Sequence, residues 1–354
     1  YNTDYISNAI LFLIVFPVIF IVWNNYGTEK LFKILINGCI ISFLFVLAVD
    51  IIVFPAAAKQ YSGLFTNVNG AASYYTLVFA CLTAEIFYME RLNAKYFILL
   101  VLAGLCGALI FYTNSRTGEY ATIIMFVFSA ILYLIVNRTS WKVILLRNVV
   151  PVIIAVAVFI PTSIYLFQIR PMIKNAVKHE EMIVDNGEQS MVDSAKPEQN
   201  FGIGGYVETN EIKTEITGKD ADAILTGRVS IWKEYAKRLT LFGNSGDEEI
   251  YVPSRDRVYT TSHMTILQFA YQSGIFCGLL YLAYNILGGL KSIKYGIKNE
   301  SRKYALFPFI VTIGFGVGSL AESLNTSFLH IIIIYYYFLQ TPLIIKNIKT
   351  EAKS

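Results

Sequence analysis

The sequence predicts an all-α, polytopic helical membrane protein with about nine spans and one large extracytoplasmic loop. Three observations carry this. Hydrophobic residues make up 55% of the 354 residues, and charged residues only 15%, against about 25% charged in ordinary soluble domains. The apolar residues fall in long runs. Runs so uniformly apolar cross a bilayer only as helices, because every backbone polar group must be satisfied internally. This composition excludes a disordered, coiled-coil or disulfide-scaffold protein and argues against a cytosolic enzyme. The net charge of +4 is small for the length and gives no sign of a nucleic-acid partner.

In chain order the spans read at about 7–23, 31–53, 71–89, 96–112, 120–136, 143–168, 264–290, 304–322 and 328–345. Each is long enough to cross roughly 30 Å of hydrocarbon at about 1.5 Å per residue. The chain begins at Tyr1, not Met, and soon turns apolar, so it reads as truncated, with earlier spans preceding it. The organisation is then six spans over 1–168, an extracytoplasmic loop with short amphipathic helices over 169–262, three spans over 263–346, and a tail over 347–354. Lys and Arg alternate between the short connections, fifteen on one set of ends and two, Lys59 and Arg116, on the other. The basic set is cytoplasmic by the positive-inside rule, which puts the tail inside and 169–262 outside. These features fit a multi-pass membrane protein.

Within the loop, 180–222 is rich in Gly, Asp, Glu and Asn and predicts a mobile segment. The stretch Arg228–Ala236 predicts an amphipathic helix whose Ile231, Trp232 and Tyr235 share one face on the membrane. Cys39, Cys81, Cys106 and Cys277 all lie in apolar segments, which points to packing and not to disulfides or metal ligation. No Walker A motif, dinucleotide fingerprint, nucleophile elbow or metal-ligand spacing is present, so no cofactor and no metal are expected.

The unusual polar residues near span ends gather on the outer face, where an ionisable group is a functional candidate by default. Arg116 sits in Thr113-Asn114-Ser115-Arg116-Thr117-Gly118. Its guanidinium can clamp a phosphate bidentately, with Ser115, Thr117 and a helix N-terminus adding donors. Equally, it can snorkel or pair with Glu119. Arg228 precedes Trp232 and offers a second grip on a diphosphate, or is a solvated loop residue. His263, where the loop re-enters the membrane, reads as a general base, a hydrogen-bond donor to a leaving diphosphate, or a capping residue. Asn67 and Asn69 read as sugar ligands or as turn chemistry. Glu322 and Asp50 read as Arg orienters, hydroxyl ligands, bases or plain helix-end ion pairs. Gly314 and Gly318 read as close helix packing.

The order of these pieces resembles the O-antigen ligase/polymerase superfamily (Wzy/WaaL-like) of bacterial membrane glycosyltransferases. Four blocks carry the resemblance: Gly63-Leu64-Phe65-Thr66-Asn67-Val68-Asn69-Gly70; Ser115-Arg116-Thr117-Gly118; Gly227-Arg228 through Trp232 with Gly243 and Gly246; and Ser262-His263-Met264 through Gln268 with Gly274 and Gly278. Together they cover roughly 60–330. Two departures are Met264 where Asn is common and a Gly-x-x-Gly in place of Gly-x-Gly.

The resemblance implies an outward-facing cavity under the large loop and a metal-independent glycosyltransferase. The donor would be an undecaprenyl-diphosphate-linked glycan and the acceptor a second glycan. Arg116 and Arg228 would bind the diphosphate, and His263 would activate the acceptor or assist the leaving group. Ser115, Asn67, Asn69, Trp232 and Glu322 are the substrate-binding candidates. A polymerase of lipid-linked repeat units of a surface polysaccharide is the first expectation, because nothing marks a lipopolysaccharide acceptor. The alternatives are a ligase moving a finished glycan, a lipid-linked oligosaccharide flippase or transporter, and a membrane scaffold. A transporter would carry midplane charges and inverted repeats, and neither is seen. A flippase or a chain-length regulator is a candidate protein partner.

Overall fold

A computed structural model describes residues 10, 13–14, 16–53, 61–65, 67–138, 141–161, 228–244, 249–299, 302–324 and 331–344. The helices are α1 (Phe16–Tyr26), α2 (Thr28–Val53), α3 (Val68–Phe87), α4 (Ala94–Tyr112), α5 (Arg116–Val136) and α6 (Trp141–Pro161). They continue as α7 (Arg228–Lys237), α8 (Thr265–Ser273), α9 (Ile275–Lys298), α10 (Phe307–Ala321) and α11 (Ile331–Ile344). Two short strands, β1 (Ile250–Val252) and β2 (Arg257–Tyr259), pair antiparallel with Tyr251 opposite Val258. Among the described residues six helices, α2–α6 and α9, are long and apolar enough to cross a membrane; α10 and residues 331–340 of α11 are shorter apolar helices. The architecture is therefore helical and membrane-spanning. The expected segment 180–222 and the outermost span residues lie outside the described residues.

The helix α3 is the axis of the bundle. Every residue from Tyr74 to Phe87 is buried, so no side of this helix is available to lipid. It touches α2, α4, α5, α10 and α11. One of those contacts, and the α5–α10 contact beside it, depend on small residues. A Cβ at Gly118 of α5 would lie 2.5 Å from the Ala72 Cβ of α3, and one at Gly314 of α10 would lie 2.8 Å from the Met125 sulfur of α5. Close backbone approach of this kind supplies dispersion contacts where no hydrophobic drive exists between helices. Interhelical hydroxyl contacts add to it, with Thr76 and Thr122 2.9 Å apart. The outer helices keep lipid-compatible faces, such as Phe45 and Ile52 on α2 and Leu280 and Leu287 on α9.

Asp50, near the end of α2, fixes the turn that leads into α3. Its carboxylate accepts from the Leu64 amide and from the Tyr75 hydroxyl, each at 2.9 Å. Gly63 has φ +54, and a Cβ there would overlap the Asp50 carboxylate. The first glycine of the opening sequence block is thus a steric requirement of the buried Asp50 side chain.

Two expectations are corrected. The single span at 264–290 is two helices, α8 and α9, broken at Gly274, which has φ +96. The α8 helix folds back along α9: a Cβ at Gly278 would lie 2.5 Å from the Ala270 Cβ, and the Phe269 and Tyr281 rings are 4.5 Å apart. An apolar run gives hydropathy but no sign of a reversal, except for the glycine. Secondly, the apolar face of α7 is directed at protein. Ile231 and Tyr235 are buried with Ile250, Val252 and Tyr271 in a small second core. The β-hairpin, distant in pattern and short, supplies the surface that the sequence assigned to lipid.

The glycine at 274 also meets the second glycine motif. A Cβ at Gly274 would lie 2.2 Å from the Leu241 carbonyl oxygen, and one at Gly243, φ +89, would lie 2.3 Å from that of Gln272. The amide of Ile275 donates to Thr240 O at 3.0 Å, and that of Asn244 to Tyr271 O at 2.8 Å. Gly274→Ala is expected to cost about 2 kcal/mol or more through backbone strain and overlap, read as a lower thermal midpoint in detergent. Gly316→Ala, whose Cβ position is open, is the control and is expected to be neutral or stabilising by up to about 1 kcal/mol.

Candidate active site

The site is built where the N-termini of α3, α5 and α7 meet the C-terminus of α10 and the turn before α8. Asn67 caps α3, its side chain accepting from the Gly70 amide at 2.8 Å. Ser115 caps α5, accepting from the Gly118 amide, and its hydroxyl donates to Asn69 Oδ1 at 2.8 Å. Asn114, just before this cap, has φ +53, an αL conformation that Asn tolerates better than most residues. The two blocks read as sugar- and phosphate-binding turns are therefore tied directly to each other.

Arg228 opens α7 and reaches back to this platform. Its Nη1–H donates to Thr117 Oγ1 at 2.8 Å, and its Nη2–H donates to Glu322 Oε1 at 2.6 Å. Side-chain exposure is 17% for Arg228 and 9% for Glu322, so the pair is largely removed from water. Charge-assisted bonds are strong in such a place, and removal of either partner leaves a stranded charge at about 3–5 kcal/mol. Glu322 terminates α10. Its carbonyl accepts from Thr265 Oγ1 at 2.7 Å, and the same hydroxyl accepts from the Leu324 amide at 2.8 Å. The start of α8 and the end of α10 are joined through that threonine.

His263 adopts φ +52, a strained conformation for a residue with a Cβ and one that clusters at functional sites. The turn is held by the Ser262 amide donating to Gln268 Oε1 at 2.7 Å, and by the Ser262 hydroxyl donating to Met264 O at 2.9 Å. This conformation directs the imidazole at Glu322, with Nδ1 3.5 Å from Oε2. With its proton on Nδ1, the ring presents Nε2 as a proton acceptor on its other side. Among the described residues Arg228 uses two of its five N–H donors, both in the cluster. Between α3, α5 and α10 lies a narrow crevice of about 10 Å³, lined by Asn69, Ser73, Ser115, Thr117 and Glu322 among others. That is about the room of one water molecule.

The structure thus brings together Arg228, His263 and Glu322, and next to them Ser115 and Asn69. It separates Arg116, whose side chain is exposed and shares none of these bonds. Its electrostatic neighbour is Glu119, one turn along α5. Trp232 is half-buried one turn after Arg228, with its indole N–H shielded and unpartnered among the described residues. Thr265 is a site-building residue that the sequence reading missed; the available signal was its position two residues after His263, at the first turn of a helix. No cluster of three His, Cys, Asp or Glu able to hold a metal ion occurs among the described residues.

Comparison with known families gives a match over residues 99–282, just over half of the chain, to the family model described as O-antigen ligase. No curated protein and no solved structure matches. The matched region includes Arg116, Arg228 and His263 and stops short of Glu322.

Met264 occupies the N-cap position of α8 in extended geometry (φ −149, ψ 115) and supplies no capping bond. Met264→Asn supplies a capping side chain there and is expected to stabilise the protein by about 1 kcal/mol, since Asn is among the best N-caps. Thermal unfolding in detergent checks this, and an unchanged or lowered midpoint would contradict it.

Proposed function

We propose, on the premise that the chain belongs to the O-antigen ligase family, that it polymerises lipid-diphosphate-linked repeat units into a surface polysaccharide. The observation that supports this best is the Glu322 carboxylate, bridging Arg228 and His263 from three separate parts of the chain. The family carries glycosyltransferase-type chemistry, and the cluster supplies the groups such a transfer needs.

In this reading the acceptor hydroxyl oxygen attacks the anomeric carbon of the donor glycan. The bond from that carbon to the diphosphate oxygen breaks, and its electron pair leaves with the lipid diphosphate. The hydroxyl proton passes to Nε2 of His263, while Glu322 at Nδ1 orients the ring and stabilises the imidazolium. The remaining N–H donors of Arg228 bind the departing diphosphate, and Arg116 closes on it from the exposed rim. Two guanidinium groups then carry the charge stabilisation that the leaving group requires. Ser115, Asn67, Asn69 and Trp232 contact the sugars. The carrier lipid is undecaprenyl, and the site faces the extracytoplasmic side of the bacterial inner membrane with the C-terminus cytoplasmic. The distribution of Lys and Arg supports that orientation. A second reading, transfer of a finished glycan to a lipid acceptor, is favoured by the description of the matching family.

Purified protein incubated with a lipid diphosphate-linked repeat unit, EDTA and no nucleotide is expected to give a ladder of longer glycans. Single-block transfer to an added lipid acceptor, with no ladder, would replace polymerase by ligase. Arg228→Ala and His263→Ala are each expected to lower the rate about a hundredfold or more at unchanged expression, and Arg116→Ala to a similar extent. Lys at either arginine should restore only part of the rate, because the bidentate fork is lost. Wild-type product from all three alanine variants would overturn the site. Full activity of the Arg116 variant alone would remove that residue from it.

A further inference from the structure

At the opposite end of α3 from the Arg228 cluster, roughly 30 Å away along twenty helical residues, lies a second and larger cavity. Its volume is about 300 Å³, and it opens between the α3–α4 turn and the turn before α10. Glu85, Tyr88, Arg91, Lys95, Lys303 and Tyr304 line it. The basic residues at its rim belong to the Lys- and Arg-rich connections and are exposed, whereas Tyr304 is buried.

Glu85 gives the cavity its chemistry. The side chain is 7% exposed; Oε1 accepts from Lys95 Nζ at 2.5 Å. Oε2 is buried and has no hydrogen-bond partner among the described residues. The Tyr304 hydroxyl beside it is a donor to this carboxylate, and a buried carboxylate favours a further, cationic donor. The aromatic walls suit the same guest. The Tyr88 and Tyr304 rings stand edge to face, 5.7 Å apart, and Tyr faces attract ammonium groups. Burial first, then the neighbouring Glu85 carboxylate, pushes the Tyr304 hydroxyl up, so it stays a neutral donor at physiological pH. Tyr304 holds φ +62, a strained conformation that places its ring in this wall. At the rim the charges reverse. Arg91 and Lys303 face the opening and form no ion pair among the described residues; Glu90 also lines it, with its carbonyl accepting from Arg147 Nη1 at 3.2 Å.

An acidic, aromatic floor beneath a basic rim matches a ligand with an ammonium at its tip and a phosphate behind it. We propose that this cavity is a headgroup site for a phosphoethanolamine phospholipid of the leaflet opposite the glycan-transfer site. The ammonium donates to the Glu85 carboxylate beside the two tyrosines, and the phosphate takes Arg91 and Lys303, as basic pockets between spanning helices do for lipid headgroups. A quaternary choline cannot donate to the carboxylate, and a glycerol headgroup lacks the cation, so the site discriminates among common phospholipids.

The test is lipid retention by native mass spectrometry, with the full chain in nanodiscs of mixed phosphatidylethanolamine, phosphatidylglycerol and phosphatidylcholine. Selective retention of phosphatidylethanolamine is expected. Removal of both rim cations in R91A/K303A, at exposed positions that leave folding intact, should weaken it about thirtyfold. Glu85→Gln should abolish the preference over phosphatidylglycerol while phosphate-dependent binding persists. A soluble arm uses glycerophosphoethanolamine as competitor: displacement only at far higher concentration supports a membrane lipid, and displacement at equal concentration would replace it by a soluble ester. Equal retention of all three lipids, or retention unchanged in R91A/K303A, would overturn the proposal. Glycan transfer by R91A/K303A should stay at wild-type rate, which separates failure here from failure of the functional reading.

Discussion

A carboxylate shielded from water at the end of an apolar helix cannot stand alone, and the arrangement of this end of the bundle follows from how Glu322 is satisfied. One oxygen takes Arg228 and the other faces His263. To deliver those partners, α7 must lie across the mouth of the bundle and the turn before α8 must enter the left-handed region. The backbone of Glu322 is fixed in turn by Thr265. Polar groups from α5, α7, α8 and α10 therefore share one small network, and a shift of any of these elements would strand a charge.

That network rests on a platform of helix caps. Ser115 and Asn67 each close a helix N-terminus, and Asn69 joins the two through the Ser115 hydroxyl. Residues that satisfy orphan amides thereby also point the positive ends of α3 and α5 at one place. The second core around Tyr235 and Tyr271 holds α7 over this platform. It thereby fixes the position of Arg228 at the start of that helix.

Much of this was legible in the sequence. Hydropathy runs located α2–α6 closely, because lipid imposes length and apolarity on any spanning helix. A cation partner for Glu322 was open to view as one of several readings, since a lone carboxylate at a span end demands a cation, but which arginine would supply it was not. What could not be read were the features made by chain reversal. The apolar run over 264–290 gives no sign that α8 doubles back on α9, and Ile231 and Tyr235 look alike whether they face lipid or a hairpin. Arg116 shows a further limit: the motif places it beside Thr117, which binds Arg228, but rotation about the helix turns its own side chain outward. Position in a motif fixes the neighbourhood of a residue and leaves its direction to packing.

The complete enclosure of α3 has a mechanical consequence. Helices in contact with lipid answer a change in bilayer thickness by tilting or by moving their flanking residues, because hydrophobic mismatch acts on exposed apolar surface. From Tyr74 to Phe87 this helix presents no such surface. Thinning or thickening of the membrane therefore loads the peripheral ring, while the axial rod keeps its length and the groups at its two tips keep their separation. The depth of the Glu322 cluster is set by protein against protein, a gauge that the surrounding lipid does not adjust.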